Sequence, residues 1–203
     1  MRQKAMLAAV ALVVLLLVGA PTAFASPNLA LVNNGSFESG DFTGWTTGGN
    51  FEFTQVVTGP FYVYTAAQDG QFYATLGPLS IDGTLSQTLA TTAGAQYTFS
   101  FWYAGVGDDP SDLSASWDGN PLYSQVNPNT GAVWTQESFT VTGTGSDTIQ
   151  FGFRDDPAYI ALDNVSVVKQ NPTTTPEPSS LLLLGSGLLT VGGMIRRKLQ
   201  ANR

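Results

Sequence analysis

The run "QYTFSFWYA", Gln96 to Ala104, narrows the folds open to this chain more than any other stretch. Successive side chains of a strand point to opposite faces, so Tyr97, Phe99, Phe101 and Tyr103 share one face. Thr98, Ser100 and Trp102 share the other. The same period of two recurs along the chain. In "TIQFGFR" it turns Ile149, Phe151 and Phe153 inward and Gln150 and Arg154 outward. In "QFYATL" Phe72, Ala74 and Leu76 point in, and Tyr73 and Thr75 point out. In "VWTQESFTV" Phe139 and Val141 point in, and Trp134 and Gln136 point out. Nine β-rich runs are separated by Gly, Pro, Asn and Asp clusters: Phe51–Thr58, Phe61–Thr65, Phe72–Leu76, Thr84–Leu89, Gln96–Tyr103, Leu113–Trp117, Val133–Val141, Thr148–Arg154 and Ile160–Val168. No stretch between them carries helical periodicity. The pattern predicts an all-β sandwich or jelly roll.

Charge narrows the function classes. From Pro27 to Thr175 there are 14 acidic residues against 2 basic ones, a net −12. Such a surface repels phosphate backbones and excludes nucleic acid as a partner. The chain has no Cys and no His. It therefore lacks disulfides, Ser-His-Asp and Cys-His catalysis, and the usual zinc ligands. A sandwich of this length is large enough to be held by core burial alone.

The outward sets contain Tyr73, Trp102, Trp134, Gln136, Gln150 and Arg154. Flat aromatic rings stack on the apolar faces of sugars, while amides and guanidinium groups hydrogen-bond to hydroxyls. The six residues form a candidate glycan platform. Alternation alone does not say whether their strands are neighbours. The alternative is that the tryptophans pack under loops or at a sandwich edge.

The two ends are of another kind. Arg2 and Lys4, the apolar run Ala5–Val18 and the Ala23-Phe24-Ala25 end make a secretory signal peptide over residues 1–25. The sandwich is expected over 26–169. A Pro/Thr-rich linker over 170–178 has the composition of an extended spacer. Ser179 to Ile195 is then 17 residues without charge. As a helix at ~1.5 Å per residue it reaches roughly 26 Å, short of a ~30 Å hydrocarbon core. Arg196, Arg197 and Lys198 fix its basic end in the cytoplasm, ahead of a short tail at 199–203.

Two resemblances follow from quoted residues. "PEPSSLLLLGSGLLTVGGMIRRK", Pro176 to Lys198, resembles the PEP-CTERM sorting signal of Gram-negative bacteria. The resemblance implies that Pro176, Glu177 and Pro178 are read by an exosortase, a membrane protease. The apolar helix would then be a transient tether in the inner membrane, and the destination the cell surface or an exopolysaccharide matrix. "LVNNGSFESGDFTGWTTGG" (Leu31–Gly49), "GTLSQTLATTAGAQYTFSFWYAG" (Gly83–Gly105) and "YIALDNVSVV" (Tyr159–Val168) resemble galactose-binding-like jelly rolls, a fold shared by many carbohydrate-binding modules. In those modules a Glu after Asn-Gly-x-Phe and an Asp of the last strand share a structural calcium. The matching positions here are Glu38 and Asp163. Two carboxylates on adjacent first and last strands would repel unless bridged, and hard oxygens suit Ca²⁺. The alternative is that Glu38 caps a turn and Asp163 sits at a strand bulge.

The remaining acids read as solvated turns, notably Asp108, Asp109 and Asp112 in "GVGDDPSDL" and Asp155-Asp156-Pro157. None stands on an apolar strand stretch that would raise its pKa, as a glycosidase acid requires. No nucleophile elbow, phosphate loop or zinc motif is present. The sequence therefore points to an exported, non-catalytic, glycan-binding surface or matrix protein. A structural or adhesive protein with protein partners is the alternative, and a polysaccharide hydrolase the remote one.

Overall fold

A computed structural model describes residues 30–171. The signal peptide, the linker, the apolar segment and the basic stop fall outside the described residues. Among those described, no helix is long and apolar enough to cross a membrane.

Ten strands form the fold: β1 Thr46–Gly49, β2 Gln55–Thr58, β3 Phe72–Leu76, β4 Gly83–Ala90, β5 Gln96–Ala104, β6 Ser111–Trp117, β7 Asn120–Val126, β8 Thr135–Thr142, β9 Ser146–Asp155 and β10 Ile160–Lys169. They build two five-stranded sheets, β1-β4-β9-β6-β7 and β2-β3-β10-β5-β8. Every pairing is antiparallel. The expected all-β sandwich is what the chain forms.

The inward sets read from alternation meet between the sheets. Phe99 and Phe101 from one sheet face Phe151 and Phe153 from the other, and all four are buried. Phe101 packs edge-on against Phe151 at 5.0 Å. Edge-to-face pairs of this kind contribute about 0.5–1.5 kcal/mol beyond the area they bury. Trp45 and Phe37 close one end of this core, stacked at 5.9 Å. The Trp45 indole N–H donates to the Asn34 carbonyl at 3.0 Å, which pins the 31–45 segment.

Two expected runs behave differently, and two strands were not expected. Phe61–Thr65 is a turn closed by one bridge, Phe61 to Tyr64. Phe51–Thr58 shortens to β2, because Phe51 turns into the core against Phe153. β1 is the polar tetrapeptide Thr-Thr-Gly-Gly. β7 is an edge strand carrying Pro121, with a mostly exposed or half-buried pattern. β1 is held by backbone pairing to β4, and β7 by pairing to β6 with Leu122 and Tyr123 packed against the core.

The first and last segments do lie side by side. Ala30 bridges Val168, and the Leu31 N–H donates to the Val167 carbonyl at 2.8 Å. Gly35 explains the Asn-Gly-Ser-Phe run. A Cβ there would sit 2.0 Å from the Val165 carbonyl oxygen, so only glycine lets this turn reach β10.

Candidate functional site

The outer face of the β2-β3-β10-β5-β8 sheet is built in rows. Trp102 on β5 is registered with Gln136 on β8 and with Asp163 on β10. The next row is Ser166, Ser100 and Ser138, and the one after is Val168, Thr98 and Thr140. Gln136, Ser138 and Thr140 are exposed, while Trp102, Ser100 and Thr98 are half-buried. A tryptophan ring thus stands at one end of an open face of hydroxyls and amides.

The rest of the six-residue set divides. Trp134 is half-buried, and its indole N–H donates to the Ala66 carbonyl at 3.1 Å. Tyr73 points outward as alternation requires, yet it is fully buried. The 61–67 turn folds over it, so Tyr64, Tyr73, Ala104 and Ala161 form a second small core with Phe61 and Trp134 against it. Tyr73 is therefore a packing residue and not part of an exposed platform. Gln150 and Arg154 lie on β9, in the other sheet of the sandwich. Gln150 faces Ser86 and Ser116, and Arg154 faces Asp112 and reaches the Ser80 carbonyl at 3.4 Å. One face cannot include them. Alternation assigns a side chain to a face but does not say which sheet the strand joins.

The wall of the Trp102 face is the 66–72 turn, and two carboxylates hold it down. Asp163 Oδ2 accepts the Gln68 and Asp69 N–H groups at 2.8 and 3.0 Å, and its Oδ1 accepts the Asn164 N–H. Glu38 Oε1 accepts the Gln71 and Phe72 N–H groups, both at 2.8 Å. Between them Gly70 has φ +66°, and a Cβ would sit 2.3 Å from the Glu38 carboxyl carbon. Glu38 is thus a turn cap and Asp163 stands at the β10 bulge, the arrangement held open as the alternative to calcium. Both Asp163 oxygens are occupied by amides. Among the described residues no group of three or more Asp, Glu, His or Cys side chains is gathered as for a metal, so any cation site would rest on two carboxylates with backbone carbonyls and water. In this arrangement both carboxylates serve the turn, Asp163 through both oxygens and Glu38 through Oε1.

The acidic turns also depart from expectation. The tripeptide Asp-Asp-Pro occurs at Asp108-Asp109-Pro110 and at Asp155-Asp156-Pro157, and each Asp-Pro bond is cis. The two turns meet at one end of the sandwich: Ser111 pairs with Asp155, and the Asp156 N–H donates to the Pro110 carbonyl at 3.2 Å. Asp155 ends β9 and is 1% exposed, so it is not a solvated turn residue. Burial, then the Asp108 and Asp156 charges, push its carboxyl up to about 7. Burial also pushes Asp163 up to about 7, against the pull of its three amide donors. Two carboxylates raised to about 7 thus lie on strands where none was expected, and burial also raises Asp112 on β6, which is not a solvated turn residue either. The missed signal for Asp155 and Asp163 was the apolar run that precedes each, Phe151–Phe153 and Ile160–Leu162.

Comparison adds the C-terminal stretch and the fold class. Residues 174–198 match the PEP-CTERM protein-sorting motif. The chain carries this sorting signal. Pro176, Glu177, Pro178, Arg196, Arg197 and Lys198 fall within the matched stretch. The motif indicates export and sorting to the cell envelope. No curated protein is significantly similar to the chain. The sandwich is similar to a CBM61 module solved in complex with β-1,4-galactotriose. That match has a TM-score of 0.57 at 21% identity and covers 70% of this chain and 99% of that one. It is also similar to the enzymatically active domain of bacteriophage CBA120 tailspike protein 4. There the TM-score is 0.51 at 16% identity, covering 70% of this chain and 21% of that one. The CBM22-1 xylan-binding domain of Paenibacillus barcinonensis Xyn10C matches at a TM-score of 0.48 and 19% identity, covering 74% and 100%. The likeness is one of fold: a jelly-roll sandwich.

Proposed function

We propose that the chain is an exported, non-catalytic glycan-binding module that uses the outer face of the β2-β3-β10-β5-β8 sheet. The observation that carries the reading is the Trp102–Gln136 pair, set in register at the head of the Ser and Thr rows. A stacked sugar ring on Trp102 would present its hydroxyls to Gln136, Ser100 and Ser138. The indole supplies apolar contact that water does not compete for, and the surrounding donors and acceptors fix orientation. Trp134 and the 66–72 turn wall one end of the face, so an extended chain would run toward Thr98 and Thr140. The galactotriose bound to the CBM61 module supports a saccharide as the ligand class for this fold.

Binding rather than bond cleavage is the role this face supports. The carboxylate in the Trp102 row, Asp163, is fully buried, and amides occupy both of its oxygens. It can neither protonate a glycosidic oxygen nor activate a water. The sorting motif supplies the address. An exosortase would process the tail after a transient inner-membrane stop, leaving the module at the cell surface or in an exopolysaccharide matrix, where glycan is abundant.

The test is a polysaccharide array with the purified protein, repeated with Trp102→Ala. Loss of the stacking ring should weaken binding by about tenfold or more, about 1.4 kcal/mol. Absence of any glycan signal, or an unchanged signal in Trp102→Ala, would remove the reading. Release of reducing ends from a bound polysaccharide would overturn its non-catalytic part.

A further inference from the structure

Two of the five buried side-chain polar atoms left without a partner among the described residues lie in the twin Asp-Asp-Pro turns. Asp155 Oδ1 and Asp108 Oδ2 are both buried, and neither accepts a hydrogen bond. Each belongs to the first aspartate of its tripeptide. The turns are tied together by the Asp156 N–H to the Pro110 carbonyl, and Ser111 Oγ donates to the Asp108 carbonyl. Asp108 acts on Asp155 more strongly than does Asp156, its own neighbour in sequence. Arg154 gives no relief, because as the neighbour of Asp155 on β9 it points to the opposite face of the sheet and reaches Ser80. A buried carboxylate without a donor or counter-charge is costly, and a second one nearby raises the cost. Either a shared proton or a cation answers both oxygens.

We propose that Asp108 and Asp155 together hold a divalent cation, Ca²⁺, at the end of the sandwich formed by the two Asp-Asp-Pro turns. Two carboxylates from adjacent turns supply the charge. Backbone carbonyls and water make up a Ca²⁺ shell, which tolerates irregular geometry and mixed oxygen donors where Mg²⁺ does not. The ion neutralises the repulsion and satisfies both oxygens at once. It also ties the 105–110 connection to the 155–159 connection, which otherwise share one backbone hydrogen bond. The site is distinct from the Glu38–Asp163 turn, where amides already meet each buried oxygen. It is also independent of the glycan reading, since no residue of the Trp102 face takes part.

Tyr62 and Tyr64 lie close enough to feel the Asp108 and Asp155 charges, and Tyr62 is 55% exposed. Tyrosine sensitises Tb³⁺, which replaces Ca²⁺ at oxygen sites, so the full chain in mild detergent can report binding by Tb³⁺ emission on tyrosine excitation. The expected result is saturable emission that Ca²⁺ displaces. Affinity should fall roughly tenfold or more in Asp108→Asn and in Asp155→Asn. It should stay unchanged in Asp163→Asn and Glu38→Gln. Absence of saturable emission overturns the proposal, because the two aspartates then share a proton instead. Unchanged affinity in Asp108→Asn and Asp155→Asn overturns it as well. So does a loss seen only with the Asp163 and Glu38 variants, which assigns the ion to the other turn. If circular dichroism shows Asp155→Asn unfolded, Asp108→Asn decides alone, since Asp108 is only half-buried and its unpaired oxygen holds no structure together.

Discussion

Asp163 and Asp155 are a matched pair with opposite surroundings. Both end an apolar run, both are buried, and burial pushes both up to about 7. Asp163 is met by three backbone N–H groups, and Asp155 Oδ1 by none. Burial sets the direction of a carboxylate's pKa, but the supply of donors decides what the residue is for. With donors it is a clamp on a turn. Without them it is an unmet demand that weakens the fold until a proton or a cation answers it.

The largest expected effect is on the clamp. Asp163→Ala leaves the Gln68, Asp69 and Asn164 amides without their acceptor. We expect a loss of about 3 kcal/mol in urea unfolding, with release of the 66–72 turn. A loss below about 1 kcal/mol would mean that water replaces the carboxylate and that the contrast with Asp155 is weaker than the hydrogen bonds suggest.

Next comes the glycine under the same turn. At Gly70 a Cβ meets both a left-handed backbone and the Glu38 carboxylate at 2.3 Å. Gly70→Ala should cost about 2 kcal/mol. Glu38→Ala combined with it should cost less than the sum of the two, because removing the carboxylate opens the space the methyl needs. Strict additivity in the double-mutant cycle would show that the backbone angle alone carries the cost.

The unsatisfied aspartate predicts the opposite sign. In EDTA at pH 8, Asp155→Asn should stabilise the fold by about 0.5–1 kcal/mol, since it removes a buried charge and offers Asp108 a donor. Both raised carboxyls shape the pH profile, and the substitution separates them. A carboxyl raised from 3.8 to about 7 binds more protons folded than unfolded across that window. Stability must therefore fall as pH rises from about 4 to about 7, and stay low above it. Asp147 works the other way. Burial pushes it up, but the Thr91 hydroxyl and the Thr144 amide outweigh burial and hold it at about 2. Its contribution is present above 3.8 and lost as pH falls toward 2. The melting temperature in EDTA should peak near pH 4–5, and Asp155→Asn should flatten the fall above the peak. A profile unchanged by that substitution would show that Asp155 is not protonated in the fold.

How far the sequence revealed this contrast depends on range. The strands with apolar alternation, Gln96–Ala104, Ser146–Asp155 and Phe72–Leu76, were legible because a core face repeats every second residue. β1 and β7 were not, because Thr-Thr-Gly-Gly has no apolar face to read and the apolar residues of β7, Leu122 and Tyr123, are adjacent rather than alternating on an edge strand with a proline. Tyr73 was assigned to the correct side of its strand, yet the 61–67 turn covers it, and no local pattern announces a turn folding back over a sheet. Asp155 was read as a turn residue from its Asp-Asp-Pro composition, whereas the strand runs one residue into the tripeptide. The resemblance led to Glu38 and Asp163 as a pair, and the structure does set both on one turn. It supplies amides where calcium was expected.

The smallest expected effect concerns the sheet the platform lost. Gln150 is exposed between Ser86 and Ser116, and no described residue hydrogen-bonds to its side chain. Gln150→Ala should change stability by less than about 0.5 kcal/mol. It should also leave polysaccharide binding within about twofold of the parent, a change of about 0.4 kcal/mol, while Trp102→Ala loses tenfold or more. The two substitutions probe opposite outer faces of one sandwich that share nothing but the core. A Gln150→Ala variant that loses glycan while Trp102→Ala keeps it would move the ligand to the β1-β4-β9-β6-β7 sheet. That face has no aromatic side chain in its Ser86–Gln150–Ser116 row, so binding there would have to rest on hydroxyl and amide hydrogen bonds alone, against full competition from water.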